Sequence, residues 1–431
     1  MNAVGTILMG AQRRLLPLWI PYRFFLAATL FHGLAWGLLA VAADQVAGYR
    51  GGPGPLLAML HALTLGVLTM TAVGAALQIL PVVTGQALRA LWSGRVISWL
   101  YVPGVLLLLF GFHSGHGVVM EAGGAVVAVC LAVFIALVCD VLIRARGLFP
   151  VFRVYTWAAL AGLAGLAILG SLAIADFRMG FLQDHAAVGL AHFLLAAFGF
   201  MGMLAMGFSH VLVPMFALAG ADDDVLAKSG PVLAVLAVAL GVAGALTGSP
   251  LLLAGAAVVG MGAAGVYLWV MGRALRAGMR KNLGLSFVLV KAAWAMLPLS
   301  LLAGGAAALG LGGERLVILF SFLALFGWLL TFLLGILQRI IPFLAAMNAV
   351  GWAMPRLSEL AGETPLKVHA VCHFAALAVV TGGILSETAL PIRVGALIGV
   401  AGAVSYVLFA LDVVRRLAAT GKTRTEKKNH V

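Results

Sequence analysis

The chain has 431 residues, of which 63% are hydrophobic and only 10% are charged. Its mean hydropathy is +1.13. Soluble globular domains carry roughly 45–50% apolar and about 25% charged residues, so this composition excludes a soluble fold and favours an integral protein of the lipid bilayer. The net charge of +13 does not indicate a nucleic-acid partner, because the basic residues lie in short stretches between long apolar runs.

Apolar segments of membrane-spanning length recur along the whole chain. A helix needs about 20 mostly apolar residues to cross a bilayer, and Gly- and Pro-rich breaks such as 51–55 and 248–250 separate the segments. The sequence therefore predicts an all-α integral membrane protein, a single polytopic domain over 1–431. Its twelve predicted spans are 21–46, 55–80, 95–112, 117–142, 150–175, 184–213, 231–248, 250–272, 284–311, 315–341, 366–386 and 391–414.

The distribution of Lys and Arg predicts the orientation of these spans. With the N-terminus inside, nearly all basic residues lie in the loops of one side and in the C-terminal tail, as the positive-inside rule requires. We therefore expect the chain in the cell inner membrane, with both termini in the cytoplasm and with the Asp run 222–224 in a solvated cytoplasmic turn. The loop residues assigned to the outside are Arg50, Arg178, Arg315 and Arg393.

A sequence pattern, G-x7-G-x6-P, occurs three times, in residues 66–81, 199–214 and 327–342. Of the fifteen prolines, only the last residue of each copy has glycine seven and fifteen positions before it. The copies fall in the second, sixth and tenth predicted helices, so the period is four helices. The pattern predicts three four-helix units around a pseudo-threefold axis, over about 1–145, 146–275 and 276–416, followed by a basic cytoplasmic tail, 417–431.

The two glycines of each copy lie eight residues apart, on nearly the same helix face. They allow either a neighbouring helix or a flat ligand to approach the backbone. Gly66 and Gly199 are therefore candidate cofactor-binding positions, with ordinary helix packing as the alternative. The proline of each copy is expected to end its helix on the cytoplasmic side.

Histidines within membrane spans are candidate functional residues. His61 and His192 lie on the repeat helices, five and seven residues before the first glycine, and His185 lies two helical turns before His192. Imidazole is a ligand of haem iron and of copper. We predict that His61 and His192 approach one outer pocket and bind metal there, with His185 as a further candidate. Unrelated histidines bonded to carbonyls are the alternative.

Other histidines receive separate interpretations. His32 lies near the middle of the first span and is a candidate metal ligand or support for one. His369 and His373 have the i, i+4 spacing that can bind a metal, but without a carboxylate motif between them we interpret them as interfacial side chains. His113 and His116 are interpreted as loop residues.

The layout of twelve helices in three units, with outer histidines on the second and sixth, resembles subunit I of the haem–copper oxidases. It is more similar to the NnrS family, haem- and copper-containing membrane proteins linked to nitric oxide. The residues that carry this resemblance are 22–28, YRFFLAA, and the stretch from His61 through Gly66 and Gly74 to Pro81, which ends in Thr84-Gly85.

The resemblance implies a haem–copper oxidase subunit I-like fold and a haem, with copper as a second candidate cofactor. It also implies nitric-oxide-related or respiratory redox metabolism and a redox partner protein. The sequence departs from the family patterns in two places. The seventh and tenth predicted helices contain no histidine, and Met59 stands where the NnrS pattern has a second histidine. These departures speak against an oxygen-reducing binuclear centre.

Two other function classes fit the same sequence. The chain could be a transporter of a small solute or metal without haem, since transporters also use glycine-rich helices; however, their usual inverted halves do not match a period of four helices. It could also be a structural subunit of a larger complex. A haem absorption band distinguishes the first hypothesis from both alternatives.

Overall fold

The computed structural model describes Pro17 and residues 19–145, 150–220, 225–347 and 357–428. Within these ranges the chain is helical and contains no strand, which confirms the predicted all-α class. The Asp run 222–224, and part of the loop residues that supported the predicted orientation (Arg13, Arg14, Arg146 and Arg356), lie outside the described residues.

Twelve helices in the described ranges are long and apolar enough to cross a membrane, as predicted. A 3-10 turn, Ala43–Gln45, follows the first, and a short helix, Leu357–Leu360, precedes the eleventh. The helices are α1 Trp19–Val41, α2 Pro55–Thr84, α3 Leu91–Ser114, α4 Gly117–Arg144, α5 Pro150–Met179, α6 His185–Ala217, α7 Val225–Thr247, α8 Pro250–Ala277, α9 Gly284–Ala308, α10 Glu314–Met347, α11 Glu363–Leu385 and α12 Ala389–Lys428.

The prolines of the three repeats do not end their helices, so that expectation was wrong. Pro81, Pro214 and Pro342 lie inside α2, α6 and α10, which continue to Thr84, Ala217 and Met347. Proline removes one backbone hydrogen bond and crowds the preceding turn, but packing of the buried residues on either side keeps the chain helical. Helix α12 continues through most of the basic tail, to Lys428.

Large apolar side chains cover much of the outer surface of the helix assembly. Leu251, Val371 and Val129 are 80%, 70% and 61% exposed. In a soluble protein such a surface would drive aggregation, whereas hydrocarbon tails solvate it at no cost. The surface therefore supports a multi-pass membrane protein, and the buried aromatic core lies between the helices, around residues such as Trp36 and Trp328.

Each of the three repeat helices contains a π-helical segment at the same place. The segments are Ala62–Thr69 in α2, Leu195–Gly202 in α6 and Leu323–Leu330 in α10. The first glycine of each sequence repeat is the fifth residue of its segment. The three segments contact one another in the interior. The recurrence of the π-helical segments shows that the sequence repeat is also a repeat of local structure. Such turns are rare in proteins overall, and those that occur are often found at functional sites.

The packing of the helices also repeats with a period of four. Helices α3 and α4, α7 and α8, and α11 and α12 form the most extensive pairs. Helix α4 then contacts α5, α8 contacts α9, and α12 returns to contact α1, so the helices close into a ring. This pattern supports three four-helix units around the central π segments, and the rotation that relates the units stays a prediction.

The glycines of the repeats accommodate a neighbouring helix. A Cβ on Gly66 would lie 2.5 Å from the ring of Phe31 in α1, and one on Gly207 would lie 2.8 Å from Tyr155 in α5. Gly199 lies against Gly162 of α5, and Gly335 against α9. Each repeat helix thus packs on the first helix of its own unit. For Gly66 and Gly199 the helix-packing alternative therefore holds, and Phe31 fills the space that we expected a flat ligand to use beside Gly66.

The predicted orientation is open to a direct labelling test. We expect the connections within 81–94, 143–153 and 214–230 to face the cytoplasm, because the positive-inside rule places their basic residues there. After the three native cysteines are replaced by serine, Leu88→Cys and Gly220→Cys should resist a membrane-impermeant maleimide added to intact cells. Ser114→Cys, on the opposite side between α3 and α4, should react. Labelling of Leu88→Cys or Gly220→Cys from outside would overturn the orientation.

Candidate metal centres

His61 and His192 lie side by side in the structure. Their imidazole centroids are 6.3 Å apart, and their ring planes are inclined by 28°. His61 comes from the first turns of α2 and His192 from the first turns of α6. Metal–imidazole bonds are roughly 2.0–2.1 Å long, so two rings at this separation are close enough to share one metal. The structure thus brings together the two histidines that the repeat pattern singled out.

Backbone carbonyls fix the orientation of both imidazoles. The Nδ1–H of His61 donates to the carbonyl of Leu57 at 2.9 Å, and that of His192 donates to the carbonyl of Leu166 in α5 at 2.8 Å. A carbonyl can only accept, so each neutral ring carries its proton on Nδ1 and its lone pair on Nε2. Neither Nε2 has a hydrogen bond within the described part of the chain. This arrangement, with Nδ1 on a carbonyl and Nε2 free, is the usual one for metal-binding histidines.

The two histidines line a mostly apolar pocket between α2, α3, α4, α5 and α6. The enclosed space beside the two rings is about 70 Å³, below the roughly 300–1,000 Å³ of typical ligand clefts, so a large planar ligand would enter only if the surrounding helices moved apart. Gly170 of α5 makes room for His192, since a Cβ at this position would lie 2.9 Å from the imidazole. Phe112 packs on His61 with its ring centroid 4.6 Å away. The pocket therefore offers an apolar lining and two imidazole nitrogens, which are features of haem sites.

His185 does not line this pocket. Its Nδ1 lies 2.7 Å from a carboxylate oxygen of Asp176 near the end of α5, and its ring packs on Phe177. Asp176 also accepts a hydrogen bond from the backbone N–H of Leu182. These contacts explain His185 as part of the connection between α5 and α6. His113 and His116 are both exposed. His116 lies in the connection of α3 and α4, as predicted, whereas His113 lies in the last turn of α3.

A second group of histidines forms a cluster that the sequence did not predict. His32 of α1 and His369 and His373 of α11 are 1%, 0% and 2% exposed. One ligand atom from each ring lies within 4.8 Å of the others. Our interpretation of His369 and His373 as interfacial side chains was therefore wrong. Their i, i+4 spacing was visible in the sequence, whereas their burial depends on the closure of the helix ring around them.

The hydrogen bonds of this cluster set the proton positions. Thr331 has one hydroxyl proton, which it donates to the carbonyl of Phe326 at 2.8 Å, so its oxygen accepts from Nε2–H of His373 at 2.7 Å. The indole N–H of Trp36 donates to Nε2 of His32 at 3.0 Å. The lone pair of His373 therefore lies on Nδ1, while that of His32 is held by the indole.

Several nitrogens of the cluster are buried without a hydrogen-bond partner among the described residues. Each unpaired buried polar group of this kind costs roughly 1–3 kcal/mol. A bound cation would relieve that penalty at Nδ1 of His373 and at one nitrogen of His369, whereas Nδ1 of His32 carries a proton. The walls around them are aromatic, since Tyr406 packs edge-on against His369 with ring centroids 4.7 Å apart. The unpartnered atoms are Nδ1 of His32, Nδ1 and Nε2 of His369, and Nδ1 of His373.

The chain was also compared with known proteins. No protein-family model matches it, and no curated protein matches it.

Proposed function

We propose that the chain is a haem-binding membrane protein of respiratory or nitric-oxide-related redox metabolism, in which His61 and His192 bind the haem iron. One observation carries the proposal. Two imidazoles from equivalent helices face one apolar pocket, and each has its Nδ1 on a backbone carbonyl and its Nε2 free. His210 also has its Nδ1 on a carbonyl, that of Met206, so what distinguishes His61 and His192 is that their two rings lie side by side in one pocket.

The residues of the pocket supply what a haem site needs from a protein. His61 and His192 would hold the iron through their Nε2 atoms, and the carbonyls of Leu57 and Leu166 fix the orientation of the two rings through Nδ1. Apolar side chains of α3, α4 and α5 would exclude water from the haem. The low polarity of the pocket would then influence the reduction potential of the iron. The haem would supply one-electron redox chemistry, and these residues would set its potential and its access to small molecules.

The connection with nitric oxide rests on the resemblance to the NnrS family, as does the expected redox partner protein. A spacing of 6.3 Å between the two rings suits a site in which both histidines bind the iron. With both histidines engaged in holding the iron, electron transfer would be the simplest role for the site.

The absorption spectrum of the purified protein tests the proposal and separates it from a transporter or a structural subunit. After expression with a haem precursor and purification in detergent, we expect a Soret band, about one haem per chain by pyridine haemochrome assay, and the sharpened α and β bands of a six-coordinate haem on reduction. The same protein expressed without the precursor is the control for haem loading. A folded protein without a Soret band under both conditions would refute the proposal and favour the two alternatives.

A further inference from the structure

We propose that His32, His369 and His373 form a second metal site, which binds one copper ion in the monovalent state. The site does not depend on a haem at His61 and His192. Its three rings come from α1 and α11 and are each at most 2% exposed. Their ligand atoms converge within 4.8 Å, and four of their nitrogens are buried without a partner among the described residues.

The charge of the surroundings favours a monovalent ion. The three ligands are neutral, and within the described residues no carboxylate belongs to the cluster. The energetic penalty for burying an ion rises with the square of its charge, so a divalent ion without an anionic partner pays about four times the penalty of a monovalent one. Imidazole binds copper well, and copper has a stable monovalent state whereas zinc does not. Because no carboxylate of the described residues joins the cluster, its charge favours monovalent copper over divalent zinc.

The proton positions assign different roles to the three rings. His373 presents the lone pair of Nδ1, because Thr331 holds the proton on Nε2. His369 has no hydrogen bond at either nitrogen within the described residues, so it can present whichever nitrogen the ion requires. His32 has its only lone pair on Nε2, where the indole of Trp36 now donates. We therefore infer that His369 and His373 bind first and that the ion displaces the indole from His32.

Thr331 links the site to the π-helical segment of α10. Its hydroxyl donates to the carbonyl of Phe326, a residue of that segment, and accepts from His373. The neighbouring residue Leu325 lines the pocket of His61 and His192. A single π-helical segment thus contacts both proposed sites, and Thr331 acts as a positioning residue for His373.

Burial of the three rings also predicts slow exchange of the ion. No ring is exposed by more than 2%, so an ion enters or leaves only when α1 and α11 move apart. We expect copper to remain bound during purification, to resist the Cu(I) chelator bathocuproine in the native protein, and to be released on unfolding.

The test uses the full-length protein expressed with added copper, in a His61→Ala, His192→Ala background that removes the other pair. We expect about one copper per chain by mass spectrometry of the metals, no electron paramagnetic resonance signal, and an X-ray absorption spectrum with nitrogen neighbours only. His369→Ala and His373→Ala should lose the copper. His210→Ala, which removes a histidine of α6 outside the cluster, should retain it.

A second pair of variants distinguishes a specific loss of copper binding from a loss caused by misfolding. Thr331→Val keeps the side-chain volume but removes the acceptor for His373, and should bind copper about 10–100-fold more weakly. Thr331→Ser restores the acceptor and should bind like the parent protein. Zinc in place of copper, sulfur neighbours in the absorption spectrum, absence of bound metal, or equal binding by Thr331→Val and the parent would each overturn the proposal.

Discussion

His192→Ala is expected to abolish the Soret band of the purified protein while the chain still inserts and folds. The imidazole of His192 is held by the carbonyl of Leu166 and faces His61 across the pocket. Loss of a supporting contact alone typically weakens metal binding by about 10–100-fold, and removal of the nitrogen itself should have a larger effect. Haem content per chain and the Soret absorbance measure the result, and size-exclusion chromatography checks the fold.

His61→Ala should have the same effect, because its ring lies beside that of His192 and lines the same pocket. The matched control is His185→Ala, which changes a histidine seven residues earlier in α6 that is bonded to Asp176 outside the pocket. His369→Ala is a second control, since His369 lies in the other cluster. Both controls should retain the Soret band. An unchanged spectrum in both His61→Ala and His192→Ala would show that the ligand assignment is wrong even if the protein binds haem elsewhere.

The helices could be predicted from the sequence because the bilayer imposes a simple rule. Backbone groups in hydrocarbon must be satisfied within the segment, so about 20 apolar residues in succession specify a helix. All twelve predicted spans occur in the structure. Their ends were less predictable, as α10 shows by continuing past Pro342 to Met347. Whether a proline ends a helix or lies within it depends on the packing around that turn.

The repeat pattern predicted which helices are equivalent in the assembly better than it predicted the local structure within them. Glycines at equal spacing indicated equivalent helices, and the contacts of α2, α6 and α10 follow that equivalence. The π-helical segments were not predicted, although each contains the first glycine of its sequence repeat. The sequence also did not show what lies beside Gly66, since only the structure shows that Phe31 occupies that space.

The two histidine groups differ in how far they could be predicted from the sequence. His61 and His192 could be paired from sequence because they have similar depth on equivalent helices. The cluster of His32, His369 and His373 joins the first spanning helix to the eleventh, across the closure of the ring by α12 and α1. Spacing along one helix cannot reveal that contact. His32 was identified as a candidate metal ligand from its position within a span. What the sequence did not predict is that His369 and His373 lie beside it.

Gly162→Ala is expected to destabilise the fold strongly, although the sequence pattern did not single out this residue. Gly162 of α5 lies directly against the π-helical segment of α6. A Cβ on Gly162 would lie 2.4 Å from the carbonyl oxygen of Gly199 and 3.0 Å from the backbone nitrogen of Phe200. Backbone atoms cannot rotate away as a side chain can, so α5 and α6 must separate.

The expected loss for Gly162→Ala is about 1–3 kcal/mol, typical of an overpacked core, which outweighs the helix-propensity gain of roughly 0.5–1 kcal/mol. Gly199→Ala tests the same contact from the other side. Its Cβ would lie 3.3 Å from Leu195 and 3.6 Å from Cα of Gly162, so its effect should be much smaller. Gly189→Ala, in α6 with no atom within 4 Å, should be neutral or stabilising. Thermal unfolding in detergent measures all three, and the packing interpretation fails if Gly162→Ala is as stable as Gly189→Ala.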